Sequence, residues 1–396
     1  LSRSFALYAL AFINFTHIID SMLIMPLGDI FIREFEISAQ EYSYLVASYA
    51  TGAVLSSVLA FLFLDRFDRK ASLMFLYAGF AAGTLLCGLA NSYIMLAGIR
   101  FVTGAFGGVI GALAFAVVSD LYLFKERGRA MGVLVGAFSA ASALGVPFGL
   151  YLAATYSWRV PFLALGGLGI IVLGLIAWKF PKIRGHLDNA TTKPSIGRTI
   201  KLLVTDTNQL NALLLGMILI LGHFIIIPFI SPYLIRNVGF SQMDVTLIFL
   251  LGGLAMVFTA PLVGRLTDKI GVMKVFSTAV VLAIIPTIAI THMEANPVWY
   301  ALIFTTMFFI FGSSRMIPAN TSITAAVGNE NRGSFMSMKS ALQQGAIALS
   351  SLIGGAIVYI GDDNLYHSYE YLAYISIFFC FLAIWLLSRL KVAKGN

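Results

Sequence analysis

Apolar residues run along this chain in long blocks, and polar residues gather in short clusters between them. About 20 predominantly apolar residues suffice to cross about 30 Å of hydrocarbon as a helix. Such blocks lie at about 5–27, 42–64, 72–92, 94–122, 130–154, 160–180, 208–235, 242–264, 274–292, 297–326, 334–360 and 367–390. The pattern predicts an all-α polytopic membrane protein of about twelve transmembrane helices. The first block is too long for the apolar core of a secretory leader, and no small-residue cleavage site follows it, so a retained helix is expected. The longest polar segment, 181–207, is rich in Lys, Thr and Asp and too short to fold alone. It reads as a cytoplasmic linker between an N-terminal bundle, 1–180, and a C-terminal bundle, 208–396. Within it, Ser195 is placed to cap a short amphipathic helix that carries Arg198 and Lys201 along the membrane surface.

The two halves repeat one another. Asp65, Arg66, Phe67, Asp68, Arg69 and Lys70 are answered by Asp268 and Lys269 between Gly264 and Gly271, with Lys274 just beyond. Arg127, Gly128 and Arg129 precede one apolar block, as Arg332 and Gly333 precede another. His17 with Pro26 matches His223 with Pro232 at a common offset, and Gly136 with Gly145 matches Gly345 with Gly354. These registers agree on a repeat of about 205 residues, and duplicated halves of apolar helices suggest a transporter.

Composition closes off the soluble classes, because 59% of residues are hydrophobic and only 11% charged. The net charge of +8 is no nucleic-acid footprint. Of 26 Lys and Arg, three sit in loops on one side (Arg33, Arg159, Arg236) and three inside apolar blocks (Arg100, Arg315, Lys339), leaving twenty for the other side. By the positive-inside rule that side is cytoplasmic, and an even number of spans puts both termini there. Cys87 and Cys380 fall inside blocks without metal spacing, the five histidines form no i,i+4 pair, and no phosphate loop or nucleophile elbow is present. The chain is expected to hold no cofactor and no metal and to be neither an enzyme nor an ATP-driven pump.

The cluster after the second block resembles the signature loop of the major facilitator superfamily, Gly-x-x-x-Asp-Arg-x-Gly-Arg-Lys. Asp65, Arg66, Arg69 and Lys70 fit it, while Phe61 and Asp68 stand at its glycine positions. The second copy keeps Gly264, Asp268 and Gly271, so the first loop is expected to be wider or differently bent. Arg100 and Gly104 are similar to the Arg-x-x-x-Gly motif of the family's proton-coupled exporters, and Gly136, Gly145, Pro147 and Gly149 to the exporter motif of helix 5, with Val146 at its expected glycine. The resemblance covers nearly the whole chain. It implies two pseudo-symmetric six-helix bundles, a substrate site between them and alternating access. It further implies a cytoplasmic gate in which Asp65 and Asp268 face helix N-termini of the opposite half, with Arg69, Arg129, Lys274 and Arg332 adding charge pairs at that level.

Charge inside the apolar blocks is where coupling belongs, since an ionisable group in hydrocarbon is costly to keep. Asp20 is the one acid in the middle of a block. Asn14, His17 and Asp20 recur every three residues on one face of the first helix. Asp20 and Arg100 lie roughly 10 Å below the outer ends of their helices, at equal depth, which permits pairing. In the family helices 1 and 4 both face the cavity, so Asp20, Arg100 and His17 are the candidates for proton coupling. A permanent structural pair is the alternative. Asn14, His17, Asp20, Arg100, His223, Arg315 and Asn320 are the candidates for the substrate cavity, with His17 and His223 related by the repeat. Lys339, one to two turns into its helix, reads as a snorkelling residue. Pro26, Pro228, Pro232 and Pro318 are expected to kink their helices.

The leading expectation is a monomeric proton-coupled exporter of a small organic solute in a bacterial inner membrane. Its partners are protons, the lipid bilayer and an anionic, polyhydroxylated or amphipathic substrate, with no nucleic acid. A uniporter, an importer or a lysolipid carrier of the same fold stays open, as does a non-transporting sensor or scaffold.

Overall fold

The computed structural model describes residues 3–63, 67–122, 124–180, 205–294, 297–327 and 332–391. The fold is all-α. The first helices are α1 (Arg3–Leu23), α2 (Gly28–Glu34), α3 (Ala39–Phe63), α4 (Arg69–Gly88), α5 (Tyr93–Gly107), α6 (Ile110–Leu121), α7 (Phe124–Ala140), α8 (Val146–Thr155) and α9 (Arg159–Lys179). There follow α10 (Thr207–Phe224), α11 (Ile227–Asn237), α12 (Gln242–Ile270), α13 (Val272–Thr291), α14 (Val298–Ala325), α15 (Arg332–Ile357) and α16 (Tyr369–Arg389). Among the described residues, eleven helical stretches are long and apolar enough to cross a membrane. The twelfth predicted block is α15, which has the length but is interrupted by Ser337, Lys339, Gln343 and Gln344.

Several predicted spans are built from two helices, and backbone chemistry says why. The first span breaks after Leu23, just before Pro26, which lacks an N–H and disfavours a helical residue ahead of it. Its repeat mate breaks after Phe224, and Pro228 takes up the first turn of α11. By contrast, Pro318 sits inside a helix that continues on both sides of it. The stretch from α7 to α8 widens into a π-turn at Ala141–Gly145, directly ahead of Pro147. The apolar pattern did not predict a two-stranded hairpin, Tyr359–Ile360 (β1) against Tyr366–His367 (β2), that precedes α16.

Contacts group the chain into two compact units. The first comprises Leu1–Ile24 and Ser48–Pro194, the second Met25–Ala47 and Ser195–Asn396. The core of the first is apolar packing of α1, α4, α6, α7 and α9 around Leu10, Ile13, Tyr77, Leu113 and Ile176. That of the second joins α10, α13, α14, α15 and α16 around Leu215, Phe276, Ile323, Phe335 and Leu386. Large apolar side chains such as Phe75, Phe148, Trp178 and Phe258 are exposed, as lipid-facing residues must be. The second unit takes in α2 and the start of α3. There Tyr42 Oη donates to Met25 O at 2.8 Å and to Pro228 O at 3.1 Å, and Ser231 Oγ donates to Pro26 O at 2.7 Å. Of the predicted linker, 181–207, positions 181–204 lie outside the described residues, and with them the helix expected after Ser195.

Candidate functional site

The first unit holds one ion pair with no solvent exposure on either side chain. Arg100 Nη1 of α5 donates to Asp20 Oδ2 of α1 at 2.7 Å. Thr84 Oγ1 of α4 donates to Asp20 Oδ1 at 3.1 Å, so both carboxylate oxygens are engaged. Arg100 Nη2 reaches Asp20 O at 3.4 Å, and the guanidinium lies over the Tyr49 ring of α3, 4.4 Å from its centroid. A buried charge costs several kcal/mol unless paired and hydrogen-bonded, and this arrangement supplies both conditions. Glycines bring the helices close enough. A Cβ on Gly104 would run into the carbonyl oxygen of Tyr49, and one on Gly52 into that of Phe101. Neither Arg100 Nε nor Tyr49 Oη has a hydrogen-bond partner among the described residues, although both are buried.

Asn14 and His17 share α1 with Asp20 but do different things. Asn14 Nδ2 donates to Leu134 O at 3.3 Å, fastening α1 to α7. His17 packs against Phe80, ring centroids 5.6 Å apart, and both its ring nitrogens are buried without a partner among the described residues. The i,i+3 spacing therefore does not produce a hydrogen bond from His17 to Asp20. The helix-5 motif also faces α1. A Cβ on Gly145 would strike Ile19, and one on Gly149 would lie 2.9 Å from Leu23, whereas Gly136 has open space beside it. Pro147 follows the π-turn by two residues and lies within the first turn of α8.

In the second unit the repeat mate of His17 is engaged differently. Arg315 Nη2 of α14 lies 3.2 Å from His223 Nδ1, and Arg315 Nη1 donates to Cys380 Sγ at 2.8 Å. His223 stacks on Phe308 at 5.0 Å between centroids, and Gly312 leaves room for its ring, since a Cβ there would meet it. Lys339 does not snorkel as the sequence suggested. It is 7% exposed, and its Nζ donates to Asn320 Oδ1 at 2.5 Å, because Asn320 on α14 offers a nearer acceptor than the interface.

Of the residues expected at a cytoplasmic gate, Arg69 is buried and its Nε donates to Asp120 Oδ2 at 3.1 Å. Arg129, Asp268 and Lys274 are exposed, and no ion pair joins them to another described residue. Asp65 lies outside the described residues; of Arg332 only the backbone, which opens α15, is described. The two loop copies do bend differently. Gly271 has φ +92°, a left-handed value that favours glycine, while Asp68 at the corresponding position has φ −56°. Asp68 instead caps α4, its Oδ1 accepting from Ala71 N at 3.0 Å. Sequence reasoning missed Thr84, Tyr49, Asp120 and Cys380, since a lone Thr, Tyr or Cys in an apolar block carries no signal of its tertiary partner.

The family model described as Major Facilitator Superfamily matches residues 10–210 and 212–395. The inner membrane transport protein YdhP of Escherichia coli is 25% identical over 345 residues, 85% of this chain and 84% of that protein. The probable sugar efflux transporter of Helicobacter pylori is 30% identical over 293 residues, 72% of this chain and 71% of that one. Among solved structures, a D-xylose-proton symporter superposes over the whole of both chains with a TM-score of 0.78 at 16% identity, a likeness of fold.

Proposed function

This chain belongs to the Major Facilitator Superfamily, and we propose that it is a proton-coupled exporter of small organic solutes working by alternating access. It is an integral membrane transporter and not an enzyme. The relatives named for sugar efflux favour export of a small organic solute. The basic side chains concentrated on one side favour cytoplasmic termini, and the Escherichia coli relative favours a bacterial inner membrane.

One observation carries the coupling, the fully buried pair of Asp20 with Arg100. While the pair is closed, the guanidinium and the carboxylate hold one another. A proton arriving on Asp20 cancels that attraction, and the neutral acid needs only the Thr84 hydroxyl and one acceptor. Arg100 then keeps the Asp20 carbonyl oxygen and the face of Tyr49, which lets the pair open without stranding the cation. Opening and closing would alter how α1, α3, α4 and α5 hold together, and those helices meet at this pair. His17 lies one turn from Asp20 with two unpartnered ring nitrogens, and it serves as the relay on the proton's path. Asp268 and Lys274 stay exposed here and take part in a cytoplasmic gate in a different state of the cycle.

The test uses proteoliposomes and a panel of labelled small organic solutes, neutral and anionic. An imposed pH gradient is expected to drive movement of at least one of them by the wild type. Asp20→Asn should abolish gradient dependence while the protein stays folded and still exchanges solute. Undiminished proton-driven movement by that variant would falsify the coupling role.

A further inference from the structure

Among the described residues, four buried charges come with opposite partners and two do not. Asp20 pairs with Arg100, Asp29 with Arg33 and Arg236, and Arg69 with Asp120. Arg315 is 3% exposed and Lys339 7%, yet no carboxylate pairs with either among the described residues. Among the described residues Arg315 contacts neutral acceptors, the sulfur of Cys380 and His223 Nδ1. A guanidinium cannot shed its proton inside a protein, so the charge persists and wants an anion.

The surrounding groups are donors. A guanidinium has five N–H groups; one meets Cys380, one meets His223, and Arg315 Nε is buried with no partner among the described residues. Because arginine only donates, His223 Nδ1 must accept, which fixes the neutral tautomer with its proton on Nε2. That N–H makes no hydrogen bond to another described residue. Phe308 and Gly312 hold the ring in place, and His223 and Asn320 are only half-buried, so the cluster is not sealed. The stem of Lys339 passes over Gly216, 3.7 Å from where a Cβ would stand. Gly216 and His223 are seven residues apart on α10, hence on one face and about 10.5 Å apart along its axis.

We infer that Arg315 and His223, with Lys339 two turns along the same face of α10, form an oxyanion site in the second unit, and that the transported solute carries a carboxylate or a phosphate. The inference rests on the chain being a transporter but not on coupling through Asp20. The two units then divide the work. Arg100 is neutralised from within by Asp20, while Arg315 is neutralised by its cargo. Arg315 Nε and the guanidinium N–H groups beyond those that meet Cys380 and His223 can donate to the two oxygens of one carboxylate or phosphate, and the neutral His223 donates a further hydrogen bond.

Thermal unfolding of the purified full-length protein in chloride-free buffer, without a pH gradient, reads binding alone. Gluconate, glucose 6-phosphate and inorganic phosphate are the anionic probes, and glucose is the neutral control. At least one anion should raise the unfolding temperature saturably, and glucose should not. Which anion acts distinguishes a carboxylate from a phosphate cargo. Arg315→Gln should abolish the response. Should that variant not fold, Arg315→Lys keeps the charge but loses the bidentate edge, and about tenfold weaker anion binding is expected. No response to any of the three anions, an equal response to glucose, or unchanged binding in the Arg315 variants overturns the proposal. Anion binding that persists in a protein without proton-driven flux would count against the coupling alone, and the reverse result against the oxyanion site alone.

Discussion

Gly104 of α5 lies so close to Tyr49 of α3 that a Cβ on the glycine would collide with the Tyr49 carbonyl oxygen. The contact is backbone against backbone, so neither side can yield by a rotamer change. Gly52 repeats the arrangement from the other helix, meeting Phe101 O. The consequence reaches the ion pair, because Tyr49 is the residue whose ring supports Arg100. Gly104→Ala is therefore expected to lower stability by about 1–3 kcal/mol through overpacking and to impair transport. Gly98→Ala, on the same helix with open space beside it, should be neutral or slightly stabilising. Thermal unfolding of the two variants in one detergent compares them directly, and equal stability would show that α3 and α5 do not depend on the contact.

Removing Arg100 leaves the Asp20 carboxylate buried without its cation. Arg100→Leu should cost about 3–5 kcal/mol, since Asp20 would keep only Thr84. Combining it with Asp20→Asn removes the stranded charge, so the double variant should be more stable than Arg100→Leu alone. A double-mutant cycle on unfolding measures this, and additive losses would mean that the two side chains do not stabilise one another.

How much could be read beforehand follows from which signals are local. The apolar blocks announced the helices, and the depth of Asp20 and Arg100 in their blocks made a contact between them geometrically possible. Thr84 and Tyr49 carry no such mark. Their roles arise from packing across 64 positions of sequence in one case and from glycine-permitted helix contact in the other. Asp68 shows the same limit in a loop. Its departure from the family's glycine was visible, but its use as the cap of α4 depended on a backbone angle that sequence does not display. Lys339 near the end of a span looked ready to snorkel, and only the fold reveals Asn320 as its acceptor. The hairpin ahead of α16 was hidden because two-residue strands leave no alternation to detect.

The signature loop makes a contrasting pair of predictions. Arg69 is held by Asp120 with side chains 8% and 27% exposed, so Asp120→Asn removes charge from a mostly desolvated bond and should cost about 1–3 kcal/mol. Asp268 is exposed without an ion pair here, so Asp268→Asn should change stability by less than about 0.5 kcal/mol. If Asp268 nevertheless acts in another state of the cycle, transport should fall in that variant while its unfolding curve stays put. Loss of stability by Asp268→Asn comparable to that of Asp120→Asn would contradict the assignment.

The carboxylate of Asp29 receives Arg33 Nε at 2.8 Å and Arg236 Nε at 2.6 Å. The two arginines differ in environment, and that decides which one matters. Arg33 is 62% exposed, so water solvates it whether or not Asp29 is present, and Arg33→Ala should cost no more than about 1 kcal/mol. Arg236 is 6% exposed, and beyond Asp29 its guanidinium is bonded to Asn364 Oδ1 at 2.5 Å. Asp29→Asn leaves that cation buried with neutral acceptors only, at an expected loss of about 3–5 kcal/mol. Adding Arg236→Gln removes the stranded charge, so the double variant should unfold at a higher temperature than Asp29→Asn. Asn364 also ties this pair to the hairpin, where Asn237 Nδ2 donates to Tyr366 O at 2.8 Å and Asn237 Oδ1 accepts from Tyr366 N at 2.9 Å. Loosening should therefore spread to that segment, and hydrogen exchange at the amides of Gly361 and Tyr366 should quicken in Asp29→Asn but not in Arg33→Ala. Exchange that stays slow in both variants would confine Asp29 to a local role within α2 and α11.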